Sequence, residues 1–303
     1  MNSLEFLGCC LLLVTDSIFN MKKIVAIFST TLLLIASCLP DPLVVTSIPG
    51  LEQKIVVSSQ VITNQSVSIL LTKSFGALDA NGSSDPQELL DLIAINDATV
   101  IIEAENIVDT LIFLQNGVYG SVSLPLIENL EYTLSVESPS MGKVIASTQV
   151  KEQVKFASVS SRMKPMGPAD SIAQVYYSLQ DLEGENFYMM NVQQISIGEL
   201  PAPEDILNPD VFTTLIVDDP AIDGQVLSDT VSLFLQHLAL SDTILVQVAN
   251  ISEDYYDFLE LRQNGRFNFS EFLGEPINYP SNVVGGLGWF TLHVPDLRVV
   301  VIE

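Results

Sequence analysis

No cysteine follows position 38: Cys9, Cys10 and Cys38 are the three in the chain. The 265 residues after Cys38 therefore hold no disulfide, no thiolate metal site and no cysteine nucleophile, and must keep their shape by burial. That length suffices for one or two domains with sizeable cores. An apolar content of 48% excludes disorder as the main state. What such a chain folds into has to be read from the spacing of its apolar residues.

That spacing is the spacing of strands. Residues 54–62 (KIVVSSQVI) and 65–72 (QSVSILLT) are rich in β-branched side chains, partly alternating, around a turn at Thr63-Asn64. Residues 74–97 break the pattern with Asp79-Ala80-Asn81-Gly82 and a short helical piece over 85–95, whose Leu89, Leu90 and Leu92 are expected to pack inward. Strand character returns at 98–104 (ATVIIEA) and 108–113 (VDTLIF), with Gly117-Val118-Tyr119 closing a hairpin, and again at 132–136 and 143–150. Short strands separated by turn signals predict a β-sandwich, immunoglobulin-like or transthyretin-like.

A second all-β region is expected after residue 153, with strands at 172–179, 187–194, 211–217, 226–236 and 243–248, and a long closing pair at 289–293 and 297–302. Residues 231–240 also read as helix; the β-branched run after Asp242-Thr243 favours strand. One helix is well signalled. Ser252 is its N-cap, Ile251 and Tyr256 form a hydrophobic staple, Glu253 and Asp254 suit its positive end, and Asn264-Gly265 stops it. Tyr255, Phe258, Leu259 and Leu261 are its expected apolar face. The predicted fold is all-β: two β-sandwich domains, 52–153 and 154–303, with one short helix in the second.

Upstream, residues 21–38 read MKKIVAIFSTTLLLIASC. Lys22 and Lys23 form a positive start, the apolar run after them is too short for a permanent bilayer span, and Ile35-Ala36-Ser37 precede Cys38. This order resembles the bacterial lipobox, in which the cysteine is lipidated and becomes the first residue of the mature protein. Residues 1–37 are then leader and signal peptide, with Met21 read as the start, Cys38 is the lipidation site, and 38–51 is a Pro-containing tether. An ordinary signal peptide cut near Ala36, or an uncleaved anchor helix, is the alternative reading.

Beyond residue 37 there are 35 acidic and 10 basic residues, a net charge of −25. Such a surface repels nucleic-acid phosphates and anionic headgroups, so neither is an expected partner. Candidates for catalysis are thin. His237 and His293 are the only histidines, and no G-x-S-x-G, H-E-x-x-H or P-loop pattern occurs. The stretch 79–85 has the alternating oxygens of a calcium loop without its closing glutamate, and Asp218-Asp219 with Asp223 form a second acidic cluster. No catalytic residue, metal or cofactor is expected. Before Trp289 and Phe290, Gly285, Gly286 and Gly288 permit positive φ or close backbone approach. They read either as a tight bend packing the last strands on the helix, or as a ligand or partner loop made of Asn282, Gly285, Gly286, Gly288 and Trp289.

The segments 181–188 (DLEGENFY), 223–225 (DGQ), 251–259 (ISEDYYDFL), Glu275-Pro276 and 281–290 (SNVVGGLGWF), with 96–100 (NDATV) earlier, resemble in that order the landmarks of the domain-of-unknown-function 4249 family (DUF4249). The resemblance implies two β domains, a lipidated protein anchored in the outer membrane of a Gram-negative cell, and association with a TonB-dependent transporter barrel in nutrient capture. The insertion at 74–97 is longer than usual for the family, and Trp289 stands where a smaller apolar residue is common. A structural or adhesive surface subunit is the alternative function, and an enzyme acting on glycans or peptides a third. Asp109-Thr110-Leu111, Asp170-Ser171-Ile172, Asp229-Thr230-Val231 and Asp242-Thr243-Ile244 fit an O-glycosylation triplet used in some lineages that carry this family.

Overall fold

A computed structural model describes residues 52–63, 66–74, 86–167, 171–195, 212–218, 224–233, 238–265 and 279–303, which belong to one compact unit, Leu51–Glu303. Seventeen strands and two helices are found among them, in four sheets. The chain is all-β, and its sheets pack as two sandwiches.

In the first, β1 (Ile55–Thr63) and β2 (Ser66–Lys73) pair antiparallel, as their alternation predicts. They continue through β6 (Val118–Ser121) to β5 (Ile112–Gln115). The facing sheet runs from β8 (Gly142–Gln149) through β7 (Glu131–Ser138) and β3 (Thr99–Ala104) to β4 (Ile107–Thr110). Alternate residues of β3 and β7, such as Val100, Ile102, Leu134 and Val136, point into a core shared with Ile69, Leu71 and Tyr119. Two expectations need correction here. Residues 108–113 are not one strand: the chain changes sheets at the buried Leu111, whose N–H donates to Val100 O at 2.9 Å. And in α1 (Pro86–Ile93), Leu92 is 64% exposed rather than packed inward, because about two turns of helix resting on β2 have a single covered side.

The second sandwich pairs a sheet of β9 (Lys155–Pro165), β10 (Ser171–Gln180) and β13 (Val226–Leu233) with one of β12 (Phe212–Asp218), β11 (Phe187–Ile195), β14 (Thr243–Ile251) and β17 (Asp296–Val301). Val175, Leu179, Tyr188, Val192, Val246 and Val248 lie in its core. β9, an edge strand of mostly Ser and Lys on its outer face, has no strong apolar signal and is missed by sequence reasoning. β11 and β14 are buried on both faces. The core covers one, and α2 (Glu253–Gly265) covers part of the other through Leu259, Tyr255 and Phe258 against Met189, Ala249 and Ile251. Ser252 caps α2, its Oγ accepting from Tyr255 N–H at 3.3 Å. Leu261, expected on the packed face, is 37% exposed.

The expected closing pair of 289–293 with 297–302 does not form. β17 pairs with β14. Before it, β15 (Val283–Val284) pairs with β8 and β16 (Leu287–Trp289) runs parallel to β1, so Val283, Phe290 and Leu292 complete the first core. The chain thus passes from the first core to the second between Val150 and Val154, returns to the first over residues 283–292, and ends in the second with Ile302.

Candidate functional site

The glycine loop sits where β15 and β16 close one side of the first sandwich. Gly285 and Gly288 adopt φ of +85° and +93°. A Cβ on Gly286 would stand 2.6 Å from Ile55 O, and one on Gly288 2.0 Å from Val57 O. The glycines let the loop backbone press against β1. Asn282 ties the loop at its base: its Nδ2 donates to Phe290 O at 2.7 Å and to Ser147 O at 3.2 Å, and its Oδ1 accepts from Phe290 N–H at 2.9 Å. Ser59 Oγ extends the parallel ladder, accepting from Thr291 N–H at 2.7 Å. Trp289 is buried, its ring 5.1 Å from Phe258 and 5.9 Å from Tyr255 on α2, and Phe258 in turn meets Tyr279 edge-on at 6.3 Å. The same burial pushes the Tyr255 phenol up to about 12, so it stays neutral. The five candidate residues are therefore together, holding β15, β16 and α2 in place.

The other singled-out segments meet in a similar way. Asp181 is buried; one carboxylate oxygen accepts from Tyr188 OH and the other from Gly224 N–H at 2.8 Å, while Asp181 N–H donates to Gln225 O at 2.9 Å. Segment 181–188 and residues 224–225 are thus two halves of one latch. Asn96 Oδ1 accepts from Gly117 N–H at 2.7 Å, and Asp97 accepts from Ser138 Oγ at 2.7 Å and Ser140 N–H at 3.2 Å. The Ser138 hydroxyl holds the Asp97 carboxyl below the usual carboxylate range.

On the opposite side of the first sandwich several apolar side chains are exposed. β4 and β5, the edge strands of the two sheets, are joined there by Leu111. Val108, Ile112, Leu114, Val122 and Ile127 are each half or more exposed, with Phe113 little less. No charged residue occurs from Leu111 to Ile127.

The sequence profile of DUF4249, a domain of unknown function, matches residues 41–295. The chain belongs to the DUF4249 family. No curated protein matches it. Among solved structures, the chicken CNTN1 FN1-FN3 domains are similar at 12% identity and a TM-score of 0.21, over 82% of this chain and 64% of that one.

For this DUF4249 protein the sequence singles out latches, and misses two kinds of group. One is the apolar edge, whose signal is the long uncharged run in an otherwise acidic chain. The other is a pair of buried polar atoms without hydrogen-bond partners among the described residues, Asn191 Oδ1 and Gln247 Oε1; His293, already named from the sequence, has a third such atom in its Nδ1. Asn191 and Gln247 face each other across β11 and β14. Burial pushes His293 down to about 4, so it is a neutral imidazole at physiological pH. Among the described residues no three His, Cys, Asp or Glu side chains are placed to hold a metal, and no helix is long and apolar enough to cross a membrane. Cys38, His237, Asp219, Asp223 and the stretch 79–85 lie outside the described residues. Of the four triplets, Thr110 and Thr230 are exposed and Thr243 is buried.

Proposed function

We propose that this DUF4249 protein is a non-enzymatic lipoprotein of the outer membrane, anchored through Cys38, that assists a TonB-dependent transporter in capturing or admitting a nutrient. The observation that carries the reading is the segment 21–38, where charge, apolar run, small residues and cysteine come in lipoprotein order ahead of a cysteine-free body. The non-catalytic part is supported by where the chemistry-bearing side chains are engaged: Asp181, Tyr188, Asn96, Asp97 and Asn282 all hold loops together. The transporter as partner is what the family resemblance implies. Extraction of membranes in mild detergent, with a tag on the C-terminal end, tests it. A large β-barrel in the eluate is the expected result; the protein alone, under conditions that keep other membrane complexes intact, counts against it.

A second reading, an adhesive or structural subunit built by strand exchange, is favoured by one observation, the uncharged strand β5 at the end of its sheet among the described residues. It expects oligomer ladders on unboiled gels.

A further inference from the structure

We infer that the β4/β5 side of the first sandwich is a bilayer-contact surface that lies against neutral or zwitterionic lipid headgroups. The inference rests on the lipid-anchor reading and says which side of the body the anchor brings down.

Three observations carry it. First, the edge strand β5 exposes Ile112, Phe113 and Leu114 in succession, with Val108 exposed on β4 just before it and Val122 and Ile127 exposed in the chain after β6. Patches of this kind on a protein surface mark sites of contact with another protein or with a membrane. Second, charge. Residues 111–127 are uncharged in a chain whose net charge is −25. Elsewhere the body favours water and repels anionic surfaces; along β5 itself an uncharged lipid surface meets no ion to strip, Asp109 and Glu103 lying on β4 and β3, and apolar groups gain by leaving water. A second copy of this chain is a poor occupant, since two bodies of that charge repel.

Third, the place where the chain arrives. β1 opens at Ile55, paired with Lys73. The β5–β6 turn at Asn116-Gly117 lies at that same end of the sheet, with Leu71 N–H donating to Gly117 O at 2.8 Å. Exposed Leu92 on α1 is there as well, the helix being followed by Ile95 N–H donating to Leu71 O at 3.0 Å. From β1 to β5 is three strand spacings, about 14 Å. The stretch 38–51, extended, reaches about 45 Å. An anchor at Cys38 can therefore bring this side onto the bilayer. One acyl-bearing terminus holds a protein reversibly, and a second contact steadies it.

The mature lipoprotein offers a direct test, because after Cys38 it has no cysteine. Ile112→Cys places a single label on the proposed surface, and Val284→Cys places one on β15 at the opposite side; the two side chains are 70% and 75% exposed. Each labelled protein is reconstituted on phosphatidylcholine vesicles containing bromine-labelled acyl chains, and fluorophore quenching is read alongside flotation. Quenching several-fold stronger at 112 than at 284 is the expected result. Flotation with equal or no quenching at 112 overturns the contact while leaving the anchor. Protection of the 112 label by a neighbouring protein, seen as cross-linking between polypeptides without lipid quenching, overturns it in favour of strand exchange. A protein that does not float at all sinks both contact and anchor.

Discussion

His293 is the residue whose environment makes the clearest demand. Its buried imidazole has an unpartnered Nδ1 and a pKa near 4, against 6.5 when unfolded. Between those values the unfolded chain binds a proton that the folded chain refuses, so stability is full above 6.5 and falls as pH drops toward 4. The loss attributable to this group approaches about 3 kcal/mol. Urea unfolding at a series of pH values should show a steeper decline for the native protein than for His293→Leu across that window; parallel profiles would mean the imidazole is not held neutral. Asp97 acts with the same sign but in a lower window, below about 3.8, since its folded pKa is lowered by the Ser138 hydroxyl. A second residue-scale expectation concerns the 181–225 latch. Tyr188→Phe removes the hydroxyl that donates to buried Asp181 and should cost about 1–3 kcal/mol in the same assay.

At the scale of elements, the glycines separate two kinds of cost. Gly142 has φ +88° with open space where a Cβ would go, while Gly288 has φ +93° and Val57 O at 2.0 Å. Gly142→Ala should therefore cost about 1–2 kcal/mol, the backbone penalty alone, whereas Gly288→Ala should exceed about 4 kcal/mol by pushing β16 off β1. Chemical denaturation of both variants checks the contrast, and equal losses would refute the steric account. Which elements exist is largely legible beforehand: β3, β7 and β10 alternate buried and exposed residues as their sequences suggest, and the cap on α2 is written in Ser252. Which elements pair is less so. The parallel β1–β16 ladder joins residues more than two hundred positions apart, and nothing local in residues 287–289 names β1 as the neighbour. The candidate site is legible only as a group of unusual residues, because glycines and asparagines that brace a loop look, in sequence, like those that bind a ligand.

For the whole molecule, the return of residues 283–292 to the first core makes the two sandwiches interdependent. Trp289, the one tryptophan, lies where β16 of the first sandwich meets α2 of the second. Its emission and the far-ultraviolet circular dichroism should change at the same denaturant concentration, in one transition; two separated transitions would show that the sandwiches unfold independently. Trp289→Ala should lower stability by about 3–5 kcal/mol and loosen α2 in hydrogen exchange. Everything proposed about function depends on how such a body, cysteine-free and strongly acidic, is held at a membrane. Intact-mass spectrometry of the protein extracted from membranes decides this. A mature chain beginning at Cys38 and carrying the mass of its attached acyl groups is predicted; an unmodified N-terminus, or a leader still in place, would contradict the anchored reading outright.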